Sequence, residues 1–216
     1  MNLSVAVYDM ATGREATSDA DRAYVSASVV KVGVLAALLL RAQDAARWLT
    51  AEEEGMAAAM IEQSDNDAAT ALRTAVGGVA ALDAAHARLG LTRTEGAAAW
   101  GLTRTTARDQ LTLLRAVFED GAASPLDARS RRYVAGLMER VVPGQDWGVS
   151  AADGGSGDRA LKNGWLPRTD SGLWVIHSVG RARSCLVAVL SDGHPTMEAG
   201  IAAVEEAAVR GAGAVA

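Results

Sequence analysis

Ser28 and Lys31 stand three residues apart, and behind them the chain runs Val32-Gly33-Val34-Leu35-Ala36-Ala37-Leu38-Leu39-Leu40. Residues three apart on a helix are surface neighbours, so a hydroxyl and an amine would share one face of a first turn. A helix that is apolar nearly all round is a buried one. Burying a polar pair at its start is costly unless the pair has a task. The task these types suggest is acyl transfer. A serine hydroxyl is a weak nucleophile that needs an adjacent base. A lysine serves as that base when desolvation and a neighbouring cation lower its pKa. The unpaired N–H groups at a helix N-terminus suit a developing oxyanion. By itself Ser-x-x-Lys is a weak signal.

The rest of the chain strengthens it. Ser64-Asp65-Asn66 follows 36 residues after Ser28, at a polar break between two helical stretches, and Lys162-Asn163-Gly164 lies on a predicted strand. These three motifs, in this order, are those of class A β-lactamases and penicillin-binding proteins. The sequence resembles the class A β-lactamase-like serine hydrolases along nearly its whole length. The helix start Thr105-Thr106-Ala107-Arg108-Asp109 and the ending Ser191-Asp192-Gly193 with Met197-Glu198 are similar to that family as well.

The resemblance implies roles. Ser28 is the acylated nucleophile and Lys31 its base. Ser64 relays a proton towards the leaving group, assisted by the charge of Lys162. Asn66 binds a substrate amide, with Asn163, Gly164 and Trp165 as further substrate contacts. The backbone N–H groups of Ser28 and Trp165 form the oxyanion hole. Two departures stand out. Asn163 occupies a place where the family has Thr or Ser. The family's Glu-x-x-Leu-Asn loop, whose glutamate activates the deacylating water, is missing from the short segment between Leu89 and Gly101, where Glu95 is the only acid and reads as a solvated loop residue. β-Lactam hydrolysis is therefore in question, while acylation of Ser28 is expected. Three readings stay open: a hydrolase or acyltransferase on a small amide, ester or lactam; a slowly deacylating penicillin-binding or peptidase-like enzyme; and a non-catalytic binding protein on the same fold.

The elements that must position these residues follow from periodicity. Asn2–Met10 alternates as a strand, and Arg14–Val25 reads as a second strand region. A central helix from Ser28 to about Trp48 follows. Helices are expected from a Thr50 cap to Glu62, over Asp67–Val76 and Val79–Leu89, after Thr105 or Thr106, and from Ser124-Pro125. Beyond Pro143 the pattern changes to strands at Arg159–Trp165, Leu173–Val179 and Ser184–Leu190, closed by a helix at Met197–Val209. The expected fold class is α/β (α+β): one domain over 1–216. About five antiparallel strands come from both chain ends (1–27 and 143–216), with an all-helical lobe (28–142) between them.

Composition sets the remaining bounds. The 216 residues are half hydrophobic with a net charge of −5, which argues against a nucleic-acid partner. Cys185 is the sole cysteine and reads as a core filler. His86, His177 and His194 lack metal-ligand spacing, so neither metal nor cofactor is expected. The apolar run from Val29 to Leu40 is too short for a bilayer, and the opening residues lack signal-peptide character. The expectation is a cytoplasmic protein without a membrane partner, acting on a small-molecule or peptide acyl substrate, with its oligomeric state left open.

Overall fold

A helix that is apolar on every side must be covered on every side, and the computed structural model, which describes residues 1–120 and 124–216, is arranged to do so. The helix α1 (Val30–Asp44) is buried at every position from Val30 to Leu40. Around it pack α2 (Ala51–Glu62), α3 (Asn66–Val76), α4 (Gly78–Arg88) and α6 (Ala128–Glu139). Between α4 and α6 lies α5 (Ala107–Phe118), which packs on the sheet instead.

The strands β1 (Asn2–Asp9), β2 (Glu15–Ser18), β5 (Arg159–Pro167), β6 (Trp174–Ala182) and β7 (Cys185–His194) form a five-stranded antiparallel sheet in the order β2-β1-β7-β6-β5. Both chain ends thus meet in one sheet, as expected. Successive side chains on a strand point to opposite faces, and both faces here are covered. Leu186, Ala188 and Leu190 of β7 join the core that runs through the helices. Val187 and Val189 face the other way, onto Val204, Ala207 and Ala208 of α7 (Met197–Val215).

Several boundaries differ from the periodicity reading. The central helix begins with a 3-10 turn, Ala27–Val29, and stops at Asp44, because Ala46 turns into the left-handed region (φ 50°) and Arg47 N–H bonds back to the Ala42 carbonyl. The region Arg14–Val25 is not one strand. It breaks at Asp19, and β3 (Ala23–Val25) leaves the sheet to pair with β4 (Arg104–Thr106). The cap of α6 is Asp127, whose carboxylate accepts from Ser130 N–H, rather than Ser124. Of the two threonines before α5, Thr106 caps, and Thr105 instead joins a side-chain network with Thr94 and Gln110.

That network ties the irregular stretch after α4 to the body. Asp109, buried in the first turn of α5, accepts from Arg93 N–H at 2.9 Å and from the Thr94 hydroxyl at 2.7 Å. A carboxylate there also meets the positive end of the helix. Replacing Asp109 with Ala orphans both donors, and the expected loss is about 2–4 kcal/mol, read as a lower urea midpoint at unchanged slope.

Candidate active site

Of the chain's 21 basic residues only two are lysines, Lys31 and Lys162, and both side chains are 0% exposed. They come from elements 131 residues apart, yet both reach one oxygen. Lys31 Nζ donates to Ser64 Oγ at 3.1 Å, to the Ser64 carbonyl at 2.7 Å and to Asn66 Oδ1 at 2.8 Å. Lys162 Nζ donates to the same Ser64 Oγ at 2.9 Å and to the Asn163 carbonyl at 3.0 Å. Burial pushes Lys31 down to about 8 against the opposing pull of Asp65. Burial, then the nearby charge of Lys31, pushes Lys162 well below its ordinary value. Desolvation is the largest cause for both lysines.

Ser64 is held where it can accept from both. It sits between α2 and α3 with φ 59°, a left-handed conformation unusual for a residue with a Cβ. Asp65 beside it fixes the turn twice: its carboxylate caps α3 by accepting from Ala68 N–H, and its own N–H bonds to the Ala59 carbonyl.

Ser28 lies half-buried in the 3-10 turn, with no side-chain cap on that turn or on α1, so the positive end of the helix is open beside it. Ala27, just before, is again left-handed, with φ 45°. Behind the turn runs β5. A Cβ added at Gly164 would fall 2.9 Å from Ser28 N and 3.0 Å from Val29 N. His177, opposite Gly164 on β6, anchors the approach to the turn: its Nε2 bonds to the Val25 carbonyl at 2.8 Å, and its Nδ1 accepts from Ser191 N–H at 3.1 Å. Burial pushes His177 down to about 4, so it is a neutral packed histidine.

Among the described residues the Ser28 hydroxyl has no hydrogen-bond partner. It lines a cleft of about 490 Å³ with Asn66, Thr70, Arg73, Trp100, Leu102 and Trp165 among its walls. Trp165 meets Trp147 edge-on at 6.1 Å. Asn163 is the expected substrate contact that the structure turns away. Neighbours on a strand face opposite sides, and with Lys162 aimed at Ser64, the buried Asn163 amide donates to the carbonyls of Gln145 and Trp147. Glu95 is exposed, pairs with Arg104 through backbone alone and stands outside the cleft lining.

Trp100 went unread in the sequence. Its ring covers Lys31 Nζ at 4.7 Å, and its Nε1 donates to Thr70 Oγ1 at 3.1 Å. Arg73 holds the segment before it by donating to the carbonyls of Ala97 and Ala98. No period or motif marks Trp100, so only its bulk in an otherwise small-residue segment hinted at it.

The Beta-lactamase enzyme family is matched over residues 49–208. No curated protein matches the chain by sequence. Among solved structures it is similar to a β-lactamase from Chitinophaga pinensis DSM 2588, at 17% identity over 97% of this chain and 93% of that one, with a TM-score of 0.78. A β-lactamase from Streptosporangium roseum gives 19% identity, coverage of 99% and 92%, and a TM-score of 0.78. For a variant of PBP-A described as an acyl-enzyme complex with penicillin-G, the values are 18%, 99% and 89%, with a TM-score of 0.81.

Gly164→Ala tests the close passage of β5 behind the nucleophile turn. Its methyl would meet backbone atoms that cannot give way. Loss of Ser28 labelling by a serine-directed reagent is expected, with a drop in stability of about 1–3 kcal/mol, checked by thermal denaturation alongside the labelling.

Proposed function

Since the chain belongs to the Beta-lactamase enzyme family, we propose that it is a serine hydrolase or acyltransferase working through a Ser28 acyl-enzyme, on a small amide, ester or lactam. The observation that carries this reading is the single hydroxyl, Ser64 Oγ, bonded to the Nζ atoms of both buried lysines beside Ser28. A binding protein has no use for two buried amines around one hydroxyl, and keeping them so is costly.

Lys31 must be neutral to take the Ser28 proton. Burial lets Lys31 lose its proton to solvent near pH 8 and stand neutral against Ser64 Oγ. Neutral Lys31 then accepts the Ser28 proton while Ser28 Oγ attacks the acyl carbon. The tetrahedral oxyanion lies at the open end of α1, towards the N–H groups of Ser28 and Trp165. The bond to the leaving group breaks as Ser64 passes a proton to it. Asn66, whose Oδ1 is held by Lys31, offers its amide N–H to the substrate.

A second reading is favoured by one observation. Among the described residues, no Asp or Glu lines the cleft, so a general base for the attacking water is not provided by a carboxylate. A slowly deacylating enzyme of the penicillin-binding type follows from that, in the manner of the penicillin-G adduct described for the PBP-A variant.

Intact-protein mass spectrometry after treatment with a fluorophosphonate, and separately with a penicillin, tests both. A mass increase in the wild type that Ser28→Ala abolishes is expected with the fluorophosphonate, and a penicilloyl adduct that persists would support the second reading. Folded protein that takes up neither reagent would overturn the acyl-enzyme.

The pH dependence has a definite sign. Lys31 is depressed to about 8, and the basic form is the neutral one. Acylation therefore rises with pH and reaches half its plateau near pH 8, and Lys31→Ala removes at least about a hundredfold in rate. Stopped-flow acylation across the pH range reads both effects, and a flat profile would exclude Lys31 as the base.

A further inference from the structure

One wall of the cleft is a face of α3. Asn66, Thr70 and Arg73 recur there at helical spacing, and all three line the cleft with Ser28. Asn66, at the near end, is bonded to Lys31, and the helix carries the face roughly 10 Å farther to Arg73. Arg73 is half-buried, and its guanidinium donates to the Ala98 carbonyl at 2.7 Å and to the Ala97 carbonyl at 3.0 Å. A guanidinium has five N–H donors, so these two bonds orient it and leave others free. Among the described residues it pairs with no carboxylate, and no Asp or Glu lines the cleft. Its charge persists at every pH at which the protein is folded, and its neighbours in the lining, Ala98, Ala99, Trp100 and Leu102, offer nothing to balance it. An oriented, partly desolvated cation of this kind is suited to receive an anion.

We propose that Arg73 sets the selectivity of the cleft by receiving a carboxylate on the acyl part of the donor, so that the preferred donors are half-esters or half-amides of dicarboxylic acids. The inference rests on the acyl-enzyme reading and adds the substrate class to it. A single guanidinium, with no second cation beside it in the lining, balances one negative charge, which suits a carboxylate better than a phosphate dianion. The slowly deacylating reading is unaffected, since an anionic donor acylates Ser28 by the same step. With an ester, the bond from Ser28 Oγ to the acyl carbon forms and the bond from that carbon to the leaving oxygen breaks. The electron pair leaves on the alkoxide or phenolate, and the Ser28 proton reaches Lys31.

The mono-p-nitrophenyl esters of glutarate, adipate, suberate and sebacate test it against the p-nitrophenyl esters of valerate, hexanoate, octanoate and decanoate, which end in a methyl instead of the carboxylate. The rate of Ser28 acylation is followed from the nitrophenolate burst and the protein mass, and corrected for each ester's reactivity towards hydroxide. Fluorophosphonate labelling and Ser28→Ala serve as controls. At the best-matched length the carboxylate ester is expected to react at least about tenfold faster than its methyl counterpart, by a ratio that shrinks as salt is raised. A cleft offering only apolar surface would favour the methyl esters instead. Arg73→Gln should bring the ratio down to about one or below, and Arg73→Lys, which keeps the charge, should retain about threefold or more. Arg73 also ties down Ala97 and Ala98, so either variant can slow every ester alike; the ratio is blind to that and separates recognition from support. A ratio of one or less at every length, a preference that survives in Arg73→Gln, or a Ser28 that takes the fluorophosphonate and none of the esters would overturn the inference and leave the nucleophile intact. Failure of the fluorophosphonate itself, in folded protein, would instead remove the acyl-enzyme reading on which the inference stands.

Discussion

Two buried ammonium groups bonded to the same oxygen are within about 6 Å of each other, and at an effective dielectric of 20 their repulsion is about 3 kcal/mol. Most single-domain proteins have little stability to set against such a term. The constraint is relieved chemically, by letting one lysine go neutral, and this is why the pair is useful. A site that resists holding two protons has a base ready. The rest of the structure keeps the relief from coming some other way, by either amine swinging out to water. Lys31 leaves a helix buried all round, and Lys162 leaves a strand covered on both faces. Neither has an exposed path.

The segments around the pair are the ones regular structure does not hold. Ala27 and Ser64 both carry positive φ, at a cost of about 1 kcal/mol each, and the stretch from Thr92 to Thr103 has neither long helix nor strand. Each is held by a side chain bonded to distant backbone. His177 holds Val25 ahead of the nucleophile turn, Asp109 holds Arg93, Arg73 holds Ala97 and Ala98, and Asn163 holds the connection at Gln145 and Trp147. These bonds leave the ladders of the sheet untouched and fix the loops whose error would be felt at Ser64 and Ser28. Most of the polar groups buried near the site are therefore engaged in holding backbone, and in the proposed reading the two lysines and two serines carry the chemistry.

How much of this could be read beforehand depends on the range of the signal. The buried helix and the antiparallel sheet drawn from both chain ends are written in local periods, and they form, although the helix stops at Asp44 and the stretch Arg14–Val25 splits into two strands. The pairing of β3 with β4 joins three-residue strands 78 residues or more apart, too short to have a period. The cap at Asp127 was hidden by the stronger turn signal of Ser124-Pro125. Asn163 was legible in part: strand parity puts its side chain opposite that of Lys162, but only the structure shows its amide donating to the Gln145 and Trp147 carbonyls. The rarity of lysine was legible too. The chain uses arginine for every other Lys/Arg position and buries its only two lysines around one hydroxyl, and in the proposed reading that supplies a removable proton, since arginine does not give one up. Trp100 could not be read, because a ring that covers an amine from a loop leaves no pattern in sequence.

Trp100 also connects the two halves of the proposed cycle. Acylation needs Lys31 desolvated, and the indole contributes to that by covering Nζ at 4.7 Å. Deacylation needs a water near the ester with a base beside it, and the same indole, tied to Thr70 and backed by Arg73, occupies space over the one amine able to serve. A carboxylate on this wall would supply the missing base, and it would also favour the charged form of Lys31. In the proposed reading, the segment from Thr92 to Thr103 therefore sets a balance. An apolar roof keeps the nucleophile's base neutral and the acyl-enzyme long-lived, and an acidic one would trade some of that neutral form for turnover. The chain carries the apolar roof, which in the proposed reading favours forming the ester over hydrolysing it.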